Sequence, residues 1–162
     1  MISKWKLKAV VQKLLSFLPS PERANYWFQK NVTKGVILSD EHLGYKLLHA
    51  QDHIGYLKKW GAKSEGNTVL ELGTGWYPIV PIMMYLSGIS HRIISLDIQS
   101  WLTHEGFLNA IQRISEWKEN GRLKQYFPEL DEGRWRNLVA MATKSEGGRG
   151  TQGAHRVRNA HY

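Results

Sequence analysis

The stretch Thr68-Val69-Leu70-Glu71-Leu72-Gly73-Thr74-Gly75-Trp76-Tyr77-Pro78, read together with Ile93-Ile94-Ser95-Leu96-Asp97, constrains the chain more than any other. A short run of β-branched and leucine residues, closed by an acid and two glycines and followed by a proline-opened apolar segment, predicts a buried parallel strand turning sharply into a helix. Gly73 and Gly75 have no β-carbon, so the backbone there can take positive φ and let a ligand lie against the peptide groups. The following helix points its unpaired N–H groups and positive dipole end at whatever polar group rests on that ledge. The second strand ends in Asp97, about twenty residues past the glycines, where a carboxylate can accept hydrogen bonds from both hydroxyls of a ribose.

Two cofactor readings compete. The dinucleotide fingerprint needs a third glycine at position 78 for close helix packing beneath a pyrophosphate, and Pro78 stands there. Pro78 and Pro81 each also remove an N–H that a pyrophosphate would use. NAD and FAD are disfavoured. The acid-first form, Glu71-x-Gly73-x-Gly75, resembles motif I of the class I S-adenosylmethionine-dependent methyltransferases, and Asp97 resembles the acid that ends their second strand. The resemblance spans Val69 to Ile98 and implies S-adenosylmethionine as cofactor. It implies Glu71, Gly73, Thr74 and Gly75 against the amino-acid part, Asp97 on the ribose and Ile98 against the adenine. Trp76-Tyr77-Pro78 departs from the family pattern where many relatives carry another glycine, and places Trp76 among the close contacts. The competing interpretation is a glycine-rich strand-to-helix turn that holds no ligand.

The resemblance implies an α/β, Rossmann-like methyltransferase fold, incomplete, with an N-terminal helical extension. The expected division is residues 1–62 for the extension, 63–146 for the Rossmann-like cofactor-binding region and 147–162 for a disordered basic tail. Only two strands are clear, whereas later strands in that family carry much of the substrate pocket and any general base. The chain therefore reads as the cofactor-binding half. Its expected chemistry is methyl transfer to an unidentified N, O or C nucleophile, and no motif assigns a base among His42, His53 and His104.

The 162 residues suffice for one domain with a real core, and the 42% hydrophobic and 22% charged fractions suit a soluble protein. With no cysteine, disulfides and cysteine-based metal or nucleophile chemistry are excluded, which fits a reducing cytoplasm. No apolar run approaches the ~18 to 20 residues that span a bilayer. The net charge of +8 is uneven: Lys4, Lys6, Lys8, Lys13, Arg23 and Lys30 face only Glu22, and Arg149, Arg156 and Arg158 lie in a tail without acids. Such ends can be solvated surface, or can bind nucleic acid or an anionic membrane face. A non-catalytic basic module of that kind is the alternative function.

Elsewhere, Ser3 to Leu18 has helical periodicity ending at Pro19, which predicts a helix packed on the domain or forming part of a lid. Tyr26-Trp27-Phe28 reads as a core plug more readily than a stacking platform. A helix from Ser39 or Asp40 to Trp60 would bury Leu43, Leu47, Ala50, Ile54 and Leu57, and would set His49 and His53 on one face. A zinc motif needs glutamate where Ala50 stands, so a metal is not expected. Ile79 to Leu86 should form the crossover helix. Thr103 should cap a helix reaching Asn120 with Phe107, Leu108, Ile111 and Ile114 toward the sheet, and Trp101 stands where it could cover an adenine. Arg134 to Lys144 is open between helix and strand.

Overall fold

A computed structural model describes residues 9–11, 13–14, 17–31, 37–61, 67–98 and 101–147. Its contacts divide the chain into two units, Met1–His42 and Leu43–Tyr162, with the boundary in the first turn of a long helix. In the first unit, residues 9–11 and 13–14 are helical, and helix α1 spans Pro21–Asn31. Pro21 suits a first helical position because its missing N–H has no intrahelical partner to lose. The side chains of Val10, Leu14, Phe17 and Leu18 are exposed, as are Tyr26 and Trp27, while Phe28 is half-buried. Lys4, Lys6, Lys8 and the tail arginines lie outside the described residues, as does the tail itself after Gly147.

Helix α2, Asp40–Lys59, starts where the Ser39 hydroxyl accepts the His42 N–H at 3.2 Å. Asp40 and Glu41 at its start and Lys58 and Lys59 at its end complement the helix dipole, and Gly61 leaves it at φ +79°. Leu43, Leu47, Ala50 and Ile54 are buried as expected, whereas Leu57 is only half-buried. Gly44 is the point of close approach: a methyl group there would meet the Tyr126 hydroxyl at 3.0 Å and the Trp117 ring at 3.5 Å.

Strand β1 (Thr68–Leu72), helix α3 (Ile79–Leu86) and strand β2 (Arg92–Leu96) follow, with the two strands parallel and paired Thr68 to Arg92 through Leu72 to Leu96. The strand-helix-strand unit is the crossover that a parallel pair requires. Helix α4 (His104–Glu119), a 3₁₀ turn η1 (Arg122–Gln125) and helix α5 (Glu132–Gly147) complete the described residues. Thr103 caps α4 by accepting the Gly106 N–H at 3.0 Å. The principal packing of α4 is against η1 and α5.

The fold is thus α/β with a two-stranded parallel sheet. Its core lies among the helices: Leu43 and Leu47 of α2, Ile79, Met83 and Leu86 of α3, Ile114 of α4 and Leu123 of η1 are essentially inaccessible. Burying each such side chain contributes about 1.5–3 kcal/mol. The sheet departs from the buried pair that its apolar sequence predicts. Val69, Glu71 and Ile93 are half-buried, while Leu70, Leu72, Ile94 and Leu96 on the opposite face are exposed.

Candidate functional site

The turn between β1 and α3 is built from the two glycines. Gly73 and Gly75 have φ of +83° and +72°, and a methyl group on either would meet no atom within 4 Å. Both are tied to the end of β2: the Gly73 N–H donates to the Leu96 carbonyl at 2.8 Å, and the Gly75 N–H donates to Asp97 Oδ2 at 2.8 Å. The open side of the turn and the carboxylate that ends the neighbouring strand are therefore one hydrogen-bonded unit. A carboxylate accepting a backbone N–H is a charge-assisted bond, about twice as strong as a neutral one.

Glu71 is held inside the same turn. Its Oε2 accepts the Thr74 hydroxyl at 2.6 Å and the Ser95 hydroxyl at 3.1 Å. Thr74 is buried. Ser95 had no signal of its own in the sequence, but the register sets it directly opposite Glu71, where a hydroxyl and a carboxylate on one sheet face meet.

The helix start beyond the glycines is a poor phosphate seat. Pro78 is its N-cap without a side-chain cap, Ile79 gives its N–H to the Tyr77 carbonyl at 2.9 Å, and Pro81 has none to give. Beside the turn the rings of Trp76 and Trp101 lie 4.4 Å apart at 43°, at the close end of aromatic pairing. Trp101 thus packs on Trp76, and the two indoles form one wall. Gly106 explains how closely α4 approaches it, since a methyl group there would stand 2.8 Å from the Trp76 carbonyl oxygen. Ile98 is 96% exposed, an aliphatic side chain standing in solvent just past Asp97.

A groove of about 440 Å³ borders the turn, lined by Lys46, His49, His53 and Tyr56 of α2 and by residues 69–73 of β1 and the turn. His49 and His53 share this side of α2 as their spacing predicts, with rings 6.5 Å apart and edge-on. Lys46 and Tyr56 escaped the sequence reading, although they fall on the same helical stripe. Among the candidate bases, His53 lines the groove with Glu71 and Gly73, whereas His42 sits in the first turn of α2 and His104 opens α4. Among the described residues no three His, Cys, Asp or Glu side chains are grouped to hold a metal ion, and no helix is long and apolar enough to cross a membrane. Comparison of the chain with family models, with curated proteins and with solved structures gave no match.

Proposed function

We propose that the chain binds S-adenosylmethionine at the turn between β1 and α3 and is the cofactor-holding part of a Rossmann-like methyltransferase acting on an N, O or C nucleophile. One observation carries this reading: two positive-φ glycines leave the turn open, and the second is bonded to the acid that ends the neighbouring strand. That arrangement fits an adenosyl compound, because its amino-acid part can lie on bare peptide groups while its sugar hydroxyls reach a fixed carboxylate. The proline-opened helix favours this ligand over a pyrophosphate-bearing one.

When bound, S-adenosylmethionine supplies an electrophilic methyl group whose sulfur leaves as a neutral thioether, so the protein has mainly to orient and to exclude water. The turn backbone would hold the amino-acid part, with Glu71 kept in place by Thr74 and Ser95 and lending negative charge toward the cationic end. Asp97, braced by the Gly75 N–H, would accept from the ribose hydroxyls. The Trp76–Trp101 wall would shield one side from water. His53, with His49 beside it, shares a groove with Gly73 and would take a proton from an acceptor there.

Isothermal titration with S-adenosylhomocysteine tests the reading. Saturable binding is expected, lost in Gly75→Val; absence of binding up to millimolar ligand by a chain with a cooperative thermal transition would end it.

A further inference from the structure

S-adenosylmethionine carries a positive charge on sulfur, and that sulfur is bonded on one side to the amino-acid part and on another to the sugar. The two places proposed to hold those parts are joined in the protein: the Gly75 N–H donates to Asp97 Oδ2 at 2.8 Å. Two indoles are tethered to the same places. Trp76 is the residue after Gly75, and Trp101 is the fourth after Asp97. Their rings meet at 4.4 Å, so side chains from both anchors converge on one spot.

The pair is not closed core. Both indoles are half-buried, and their 43° tilt makes the pair a wedge rather than a sealed stack. The face of an indole is the negative end of its quadrupole, and a cation within about 6 Å of the ring centre is attracted to it more strongly than to the ring of tyrosine or phenylalanine. The attraction grows as water is excluded. Trp76 also stands in the stretch where the resembled family often has glycine, which has no such face to offer.

The two carboxylates of the site are engaged within it. Glu71 Oε2 is shared by the Thr74 and Ser95 hydroxyls, and Asp97 is bonded to the turn. The ammonium group of the amino-acid part, which they also attract, is common to S-adenosylmethionine and S-adenosylhomocysteine. The two ligands differ in charge at sulfur alone.

We propose, building on the function above, that Trp76 and Trp101 recognise the sulfonium and set a preference for S-adenosylmethionine over S-adenosylhomocysteine. The wall holds the methylated ligand and has no comparable hold on the neutral thioether. Its attraction is to the full charge of the bound ligand, which fades as the methyl leaves, so it contributes to donor affinity rather than to the rate of transfer. The competing use of the wall is as a platform for the adenine ring. Both ligands carry that ring, so a platform would favour them equally.

Titration calorimetry of the full chain with each ligand separates the two uses. S-adenosylmethionine should bind at least about fivefold more tightly, the worth of one cation over an indole. Trp76→Leu should narrow that ratio by about the same factor through loss of S-adenosylmethionine affinity, with S-adenosylhomocysteine affinity nearly unchanged, and Trp76→Phe should lie between. Trp101→Leu makes the same test should Trp76→Leu lose its cooperative thermal transition. An unaltered ratio in both leucine variants, or equal affinities in the parent chain, would overturn the proposal while leaving the S-adenosyl site in place. So would an equal fall for both ligands in Trp101→Leu, which would make the wall an adenine platform. Binding of neither ligand by the folded parent chain would overturn the proposed function itself, and this preference with it.

Discussion

The Gly75 N–H and the Asp97 carboxylate meet at 2.8 Å, so the acid ending β2 holds the glycine turn that follows β1. One side chain therefore has two separable duties, bracing the turn and, in the proposed function, receiving a sugar. Asp97→Asn keeps an oxygen acceptor for Gly75 and loses the charge, whereas Asp97→Ala loses both. Asp97→Ala should cost about 1.5–3 kcal/mol of stability, the worth of a hydrogen bond to a charged group, and Asp97→Asn should cost less. Both should weaken S-adenosylhomocysteine binding. Urea unfolding and titration calorimetry on the same samples separate the two duties.

Gly75→Val tests the open side of the turn. No neighbouring atom would meet an added Cβ, so the stability cost is that of a β-branched residue at φ +72°, about 1–2 kcal/mol. Ligand affinity should fall far more than stability, because the new side chain occupies the space where the peptide groups are bare. A fall in both by equal amounts would mean that the turn unfolded rather than filled.

The indole pair offers a direct reporter. Trp76 and Trp101 lie against each other beside the turn, so a ligand seated there should alter tryptophan emission. That change should be largely lost in Trp101→Phe, while the far-ultraviolet circular dichroism is retained. An emission change identical in Trp101→Phe would place the ligand elsewhere.

The legible parts of this molecule were those with local punctuation. Thr103 before an apolar period, and Gly61, Gly88 and Gly121 at positive φ after one, mark helix ends by backbone chemistry alone, and Ile79–Leu86 and Arg92–Leu96 fall where the sequence puts them. Helix α5 was ambiguous although its cap was readable: Asp131 accepts the Arg134 N–H at 3.0 Å, an acid three residues ahead of its donor. The Ser95 to Glu71 contact required the strand register, which no local signal supplies. The exposed aliphatic face could not be foreseen for a similar reason. Hydrophobicity tells which residues favour burial, and coverage depends on what other elements pack there.

Gly106 and Thr103 fix the approach of α4 to the turn. Gly106→Ala would press a methyl group to 2.8 Å from the Trp76 carbonyl oxygen, and backbone on one side and helix on the other leave little room to yield. The expected loss is about 1–3 kcal/mol, as for other overpacked sites. Thr103→Ala removes only the cap, at about 1 kcal/mol. Chemical denaturation should rank the two in that order, and Gly106→Ala alone should also perturb the emission of the Trp76–Trp101 pair.

Arg134 joins α5 to the start of β2 and the end of α3. Its guanidinium donates to the Tyr85 carbonyl at 3.0 Å and to the Ser90 carbonyl, pairs with Asp131 at 3.4 Å, and lies 5.1 Å from the centre of the Tyr85 ring. The two carbonyls are the critical part. Ser90 is fully buried, and Tyr85 stands in the last turn of α3, where carbonyls lack intrahelical partners and a cation is favoured. Truncation to alanine leaves the Ser90 carbonyl without this donor at about 1–3 kcal/mol, plus the lost packing of the side-chain stem, while the Tyr85 carbonyl keeps the Gly88 N–H at 3.1 Å. Both carbonyls are met by the one nitrogen Nη1, so Arg134→Lys retains the charge and the donors but loses the Nε contact to Asp131 and the flat group over Tyr85, and it should recover only part of the loss. Because β2 carries Asp97 at its end, the expected secondary effect is faster amide exchange at Ile94 and Leu96, whose N–H groups face β1, by NMR. Equal stability of Arg134→Lys and the parent chain would show that one cationic nitrogen, without the Asp131 and Tyr85 contacts, holds this junction.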